Sequence, residues 1–285
     1  MSFPVKSVMK PEEFRLIKEF VEKTYGLVLD SDKGSFLGSR LWYRVQELGL
    51  STFGEYFSHI KFSPHATEER MKFISHITNN ETYFFREEPQ LKVFAGSVLQ
   101  RLRLNKVNND KRKIRILSAG CSTGEEVYTL AMLLFEAGLF AWDWDIRIIG
   151  LDIDSQALAI AREGMYSGRA FQSMPGHLLE RYFIRCDHGF RIRESLQRIT
   201  SFIRGNLLEI ETVLDEQEFD IIFCRNVLIY FNDDTICRVI DRFGDSVTEE
   251  GLLFLGHSES LMRITDRFLP VRYPGTIIYQ LNKGV

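Results

Sequence analysis

The residues with chemistry to offer in this 285-residue chain gather where apolar runs end. The most informative stretch is SAGCSTGEEVYTLAMLL, residues 118 to 134: an apolar run closing in small residues, a glycine turn, then a helical pattern. Gly120 and Gly124 suit a tight strand-to-helix turn in which backbone packs closely under a ligand. The loop fits neither the dinucleotide pattern G-x-G-x-x-G nor a phosphate loop ending in G-K-[ST]. Glu125 instead sets a carboxylate where a phosphate would be repelled. The loop therefore suits a ligand carrying an ammonium and a sulfonium and no phosphate.

Other candidates end neighbouring runs. Asp152, in Gly150-Leu-Asp152-Ile-Asp154, follows Gly124 by 28 residues. An acid at such a strand end accepts hydrogen bonds from both ribose hydroxyls of a nucleoside, and Asp152 is given that role. Asp154 is read as the cap of the helix starting at Ser155. Asn206, in Gly205-Asn-Leu-Leu-Glu209, is either a turn residue or an amide facing an adenine edge. Arg225 and Asn226 stand at the tip of FDIIFC, the most hydrophobic run, where burying polar groups is costly unless solvent or a ligand meets them. Upstream, NNETYFFRE (Asn79 to Glu87) alternates polar and aromatic residues. Phe84 and Phe85 read as the buried part of a connector, with Thr82 and Arg86 placed to meet a carboxylate at a domain junction.

These residues need a frame, and the chain has two textures. Residues 11–90 carry helical periodicity: PEEFRLIKEFVEKTYG sets Phe14, Ile17, Phe20 and Val21 at spacings of three and four, with Pro11 near the start and Gly26 after the end. SFLGSRLWYRVQELGL, TFGEYFSHIKF and ATEERMKFISHITNN repeat the pattern. From about residue 112, strand-like runs (KIRILSAG, IRIIGLDID, ITSFIRGNLLE, FDIIFC, GLLFLGHSE, TIIYQLN) alternate with helical ones. That order predicts a doubly wound α/β sheet with its ligand beyond the carboxyl ends of the strands. RYFIRC-DHG-FRIRES has the alternation and turn of a hairpin, so a small antiparallel insertion is expected at about 167–198. The expected domains are 1–88, helical with the connector, and 89–285.

Composition narrows the function. Net charge is −3, with 12 basic and 13 acidic side chains in residues 1–90 and 24 and 26 in the rest. Neither part has the positive excess of a dedicated nucleic-acid binder. No apolar leader and no apolar run of membrane-spanning length is visible. The four cysteines form no C-x-x-C pair and read as reduced thiols of a cytoplasmic protein. The six histidines make no ligand spacing, so no metal site is expected.

Together these pieces resemble the chemotaxis-receptor glutamate methyltransferases, the CheR-type family. The resemblance runs through N-x-T-x-F-F-R-E (Asn80 to Glu87), S-T-G-E-E (Ser122 to Glu126), D-I-D (Asp152 to Asp154), N-L-L (Asn206 to Leu208), F-C-R-N-V-x-I-Y-F (Phe223 to Phe231) and L-L-F-x-G-H-S-E (Leu252 to Glu259). It implies a Rossmann-like methyltransferase sheet behind the all-helical domain, S-adenosyl-L-methionine as cofactor with S-adenosyl-L-homocysteine as product, and transfer of methyl groups to glutamate side chains of chemoreceptors, giving methyl esters in sensory adaptation. It implies cofactor contacts from Asn80, Thr82 and Arg86, from Gly120 and Glu125, from Asp152 at the ribose, from Asn206 and Leu207 at the adenine, and from Arg225 and Asn226 at the methyl-transfer end. Arg225 and Tyr230 are the residues expected to align the acceptor. The partner implied is the cytoplasmic helical domain of the receptors; no nucleic acid and no membrane insertion are expected, and a monomer is the default. Two further readings stand beside this one: the same architecture acting on a different acceptor, and a cofactor-binding module without turnover.

Members of the family are usually basic over the helix pair that meets the receptor. Here Lys33 to Leu48 offers only Lys33, Arg40 and Arg44, either receptor-facing or an ordinary solvated face. In some members the antiparallel insertion also binds a receptor's tail pentapeptide by strand addition, and those members tend to carry a longer, glycine-rich hairpin loop. With only Cys186-Asp-His-Gly189 here, independence of that tether is expected.

Overall fold

The structure, a computed structural model, describes residues 8–29, 34–109, 111–140, 143–212 and 218–284. Lys33 lies outside them. The chain divides into two compact units: residues up to Asn79 with the short segments Asp154–Gln156 and Tyr230–Asn232, and the remainder from Asn80.

The first unit holds α1 (Pro11–Tyr25), α2 (Gly34–Glu47), α3 (Phe53–Phe62) and α4 (Ala66–Ile77). Their ends follow local chemistry. Pro11 opens α1, where a missing N–H is no loss, and Gly26 closes it at φ 73° with its N–H on the Glu22 carbonyl. Thr52 and Glu55 exchange side-chain and backbone bonds across the first turn of α3. Ile17, Val21, Leu41, Val45, Phe53, Tyr56, Ile60 and Phe73 fill the core without exposure.

Two expectations for α2 are corrected. Arg44 is neither receptor-facing nor solvated: it is 6% exposed. Its Nε donates to Glu69 Oε1 at 2.8 Å, its Nη2 to Glu69 Oε2 at 2.6 Å and its Nη1 to Glu47 at 2.5 Å, while the Tyr56 hydroxyl donates to Glu69 at 2.9 Å. Arg40 is half-buried and donates to the carbonyls of His76 and Thr78 at the end of α4. Both guanidiniums find carboxylate or carbonyl acceptors inside the bundle, so these two charges serve the bundle itself.

The second unit is built on a seven-stranded sheet. Its strands are β1 (Lys113–Ala119), β2 (Asp145–Asp152), β6 (Thr200–Arg204), β7 (Phe219–Cys224), β8 (Val247–Leu255), β9 (Phe268–Tyr273) and β10 (Thr276–Leu281). Their order is β6-β2-β1-β7-β8-β10-β9. The first five are mutually parallel, β10 returns antiparallel to β8, and β9 pairs antiparallel with β10 and so runs in the direction of the five. From β1 the chain builds outward through β2 and β6, then crosses to β7 on the other side. The switch point lies between β1 and β7, where open α/β sheets bind ligands. β7 is buried along its whole length, as a parallel strand covered on both faces must be. Phe223 stacks on Phe254 with ring centres 4.4 Å apart, and Phe94 meets Phe223 edge-on at 5.3 Å.

Phe94 belongs to a long helical segment that the sequence did not suggest. It comprises α5 (Glu88–Val93), a π-bulge (Phe94–Val98) and α6 (Leu99–Asn108). The remaining helices are α7 (Glu125–Ala137), α8 (Ser155–Glu163), α9 (Gly176–Tyr182), α10 (Glu194–Gln197) and α11 (Asp233–Ser246).

The hairpin forms as β4 (Phe183–Cys186) and β5 (Gly189–Ile192), and β3 (Met165–Tyr166) adds on the far side of β5. The antiparallel insertion therefore begins two residues before 167. The connector also falls differently from expectation. Asn80–Glu87 clusters with the sheet unit, not with the helices, because Phe84 and Phe85 are buried in its core and the Phe85 N–H donates to Thr129 Oγ1.

Candidate functional site

The glycine loop joins β1 to α7. Gly120 at φ 75° and Gly124 at φ 92° adopt backbone that L side chains rarely take. The space beside them is also filled: a Cβ on Gly124 would lie 2.8 Å from that of Ala161, and one on Gly120 would collide with Val227 Cγ2. The Gly120 and Cys121 N–H groups donate to the Leu151 carbonyl, at 2.7 and 3.1 Å, which ties the loop to the end of β2.

Ser122 is the hub. Its N–H donates to Asp152 Oδ2 at 2.7 Å and its hydroxyl to the Asn80 carbonyl at 3.3 Å. The Gly205 N–H donates to the Asp152 carbonyl at 3.0 Å, bringing the β6 end alongside. Asn80, Gly120, Asp152 and the Asn206–Leu207 turn are thus drawn to the carboxyl end of the sheet. Asp152 is 7% exposed. Asn206 Oδ1 accepts from the Leu208 N–H at 3.1 Å, the turn-forming geometry, with Leu207 buried next to it. Asp154 Oδ1 accepts from the Gln156 N–H at 2.9 Å and so caps α8.

Glu125 is 4% exposed in the first turn of α7 and takes a hydrogen bond from Thr123 Oγ1 at 2.7 Å. Burial pushes its carboxyl above the usual range, and among the described residues no Lys, Arg or His pairs with it. The next residue, Glu126, was missed by sequence reasoning. It accepts from Ser118 Oγ at 2.7 Å and from Arg225 Nη1 at 3.1 Å.

Arg225 is 7% exposed and held on three sides. Besides Glu126, its Nη2 donates to the Arg86 carbonyl at 2.6 Å and lies 3.3 Å from Glu87 Oε2. Glu87 also takes Asn226 Nδ2 at 3.3 Å and the His257 ring and backbone nitrogens at 2.9 and 3.2 Å. Burial pushes the Glu87 carboxyl up, but Arg225, His257 and Asn226 outweigh it and hold it below its ordinary range. Asn226 stands at φ 62°, with its Oδ1 buried and lacking a hydrogen-bond partner. Arg86 turns its own guanidinium back to the Glu81 carbonyl and over the Tyr83 ring, and Thr82 is half-buried on the same connector. Glu87 was legible only as the last letter of F-F-R-E, and its charge next to Arg86 was the available signal.

Tyr230, one of the two residues expected to align the acceptor, clusters with the helical unit. Its carbonyl accepts from the Val28 N–H at 2.7 Å there. A cavity of roughly 700 Å³ opens at the opposite end of the sheet, beside the Lys106–Asp220 ion pair, and touches none of these residues. Among the described residues no cluster of metal ligands exists, and no helix is long and apolar enough to cross a membrane.

Comparison with known proteins identifies the family. Residues 80–276 match the model of the CheR methyltransferase SAM-binding domain, and residues 12–78 match that of the CheR all-alpha domain. Chemotaxis protein methyltransferase 2 of Vibrio cholerae is 33% identical over 279 residues, covering 97% of this chain and 96% of its own length. Chemotaxis protein methyltransferase 2 of Pseudomonas aeruginosa is 35% identical, covering 94% and 92%. Chemotaxis protein methyltransferase of Escherichia coli is 33% identical, covering 95% and 91%. The chain belongs to the CheR methyltransferase family, and it is an S-adenosylmethionine-dependent methyltransferase of chemotaxis.

Proposed function

We propose that the chain methylates glutamate side chains of chemoreceptors, forming methyl esters, through residues at the carboxyl ends of β1, β2, β6 and β7. The observation that carries this reading is Glu125: a carboxylate buried at the start of α7 without a cation among the described residues. A phosphate-bearing ligand would be repelled there and a cationic one attracted. The other residues fit the same guest. Asp152, at the end of β2, suits ribose hydroxyls. Asn206 and Leu207 suit an adenine edge. The unpartnered Asn226 Oδ1 and Arg225 Nε leave hydrogen-bonding capacity at the β7 tip. Asn80, Thr82 and Arg86 supply the connector side.

When bound, S-adenosylmethionine supplies an electrophilic methyl group. The chain's own task is then small. A glutamate carboxylate, with a reference pKa near 4.3, is ionised at neutral pH and needs no general base. What remains is to exclude water and hold the acceptor in line. Arg225 contributes by fixing to the β7 tip both the connector, through Glu87 and the Arg86 carbonyl, and the start of α7, through Glu126. Tyr230 is proposed to orient the acceptor.

Incubation with methyl-labelled cofactor and purified receptor tests the reading. A base-labile label released as methanol, located on glutamate by mass spectrometry, is the expected result. A base-stable label points to another acceptor, and binding without transfer to a regulatory module. We further propose that the protein works in the cytoplasm as a monomer and without a receptor tail tether. The two-residue turn between β4 and β5 supports the last point. Micromolar binding of a tail pentapeptide would contradict it.

A further inference from the structure

Glu259 lies beyond the end of β8, in the G-H-S-E stretch, and takes no part in the roles above. Its carboxylate accepts five backbone N–H bonds. Oε1 takes those of Val227 at 2.9 Å, Leu228 at 2.7 Å and Ile229 at 3.3 Å, and Oε2 takes Asn226 at 2.8 Å and Gly256 at 2.6 Å. Four of the five donors are consecutive residues. Successive amides converging on one anion form the concavity that other proteins offer to phosphate. Here the chain fills it with its own carboxylate. Burial pushes Glu259 above the ordinary range against the pull of those amides.

Three features make this clamp specific to the β7 tip. Asn226 is held left-handed, at φ 62°, at the head of the amide run. Gly256 must lack a side chain, since a Cβ there would stand 2.7 Å from Glu259 Oε2 and 2.9 Å from the Asn226 nitrogen. Val227, fixed through its N–H, fills the space beside Gly120 that a Cβ would need. The carboxylate therefore sets the turn after β7. The turn in turn sets how the glycine loop after β1 packs, and where Arg225 and Asn226 meet Glu87.

We propose that Glu259 is a positioning residue for methyl transfer, an internal anion that holds residues 226–229 and, through Val227, the glycine loop in cofactor-binding geometry, a role that rests on the crevice reading given under Proposed function. In the sequence Glu259 is legible only as the last letter of G-H-S-E. The signal was an acid after glycine at the end of a buried strand.

The test is chemical rescue. Glu259→Ala removes four heavy atoms with the shape and charge of acetate. Affinity for S-adenosylhomocysteine, measured by calorimetry well below the variant's unfolding midpoint, is expected to fall about tenfold or more, the loss of charge-assisted hydrogen bonds. Millimolar acetate should recover a substantial part of affinity and turnover, whereas chloride at equal ionic strength should not. Glu259→Gln keeps the shape but turns an NH₂ toward the Asn226 and Gly256 N–H groups. It should lose affinity and gain nothing from acetate, and it carries the measurement if the alanine variant does not fold. Asp152→Asn is the control for the crevice itself. If that variant loses affinity while both Glu259 variants stay within about twofold of wild type, the positioning role is overturned and the crevice stands. If all three bind normally, the crevice reading fails too. Loss of affinity in the alanine variant with no acetate recovery reduces Glu259 to packing and overturns the role, as does failure of both variants to fold.

Discussion

Two buried guanidiniums, one in each unit, meet their surroundings differently. Each of the three Arg44 guanidinium nitrogens has a carboxylate acceptor, two on Glu69 and one on Glu47, and Tyr56 completes the Glu69 side. Arg225 is buried to the same degree and touches two carboxylates and a carbonyl, yet its Nε has no hydrogen-bond partner, and neither does Asn226 Oδ1 beside it. Native interiors leave few polar atoms unsatisfied, so such atoms need a reason. Arg44 closes a structural pair. Arg225 sits in a pair left open, and it is open at the switch point of the sheet, where a ligand can complete it.

The largest effect that would break this contrast is Glu69→Ala. Removing one partner of a buried pair costs about 3–5 kcal/mol, so urea and thermal unfolding should shift strongly while S-adenosylhomocysteine affinity changes little. Arg225→Ala should do the reverse. It should cost about 1–3 kcal/mol of stability by leaving Glu87 and Glu126 without their guanidinium, but cofactor affinity and turnover should drop about tenfold or more. Unchanged binding and turnover would make Arg225 another Arg44.

Acid sharpens the comparison. Burial pushes both Glu69 and Glu87 up, but Arg44 and Tyr56 around the first, and Arg225, His257 and Asn226 around the second, leave each below its ordinary range. A depressed folded-state value means stabilisation that is full above the ordinary glutamate range near pH 4.3 and is lost as pH falls through the folded value. Urea midpoints should therefore fall below about pH 4.3, and Glu69→Gln should remove part of that slope. The smallest effect is expected from Tyr230→Phe, a severalfold loss of turnover with cofactor affinity unchanged. Full activity would end its assignment to the acceptor.

Much of the frame was legible because it is local. The period in α1, the run that becomes β7 and the turn between β4 and β5 each follow from neighbours in sequence. The segment Glu88–Asn108 was not, because the π-bulge at Phe94–Val98 shifts its apolar residues out of helical period and its later part reads as a basic run. β9 was missed because Pro270 interrupts FLPVRY, a residue a sheet accepts only at an edge such as this one. For the site, Gly120, Glu125 and Asp152 could be named from their positions at the ends of apolar runs. Arg44 could not be told from a solvated arginine, because Glu69 lies 25 residues away.

By itself, then, the sequence determined the glycine turn, the acids beside it and the alternation that builds a doubly wound sheet, since glycine backbone and hydrophobic period act over a few residues. Only the tertiary structure decided which charges meet. Arg225 finds Glu126 across 99 positions, and Glu259 finds the amides of residues 226–229 from about 30 positions away. Such pairings depend on strand order and on which loops share one end of the sheet, and no local rule encodes them.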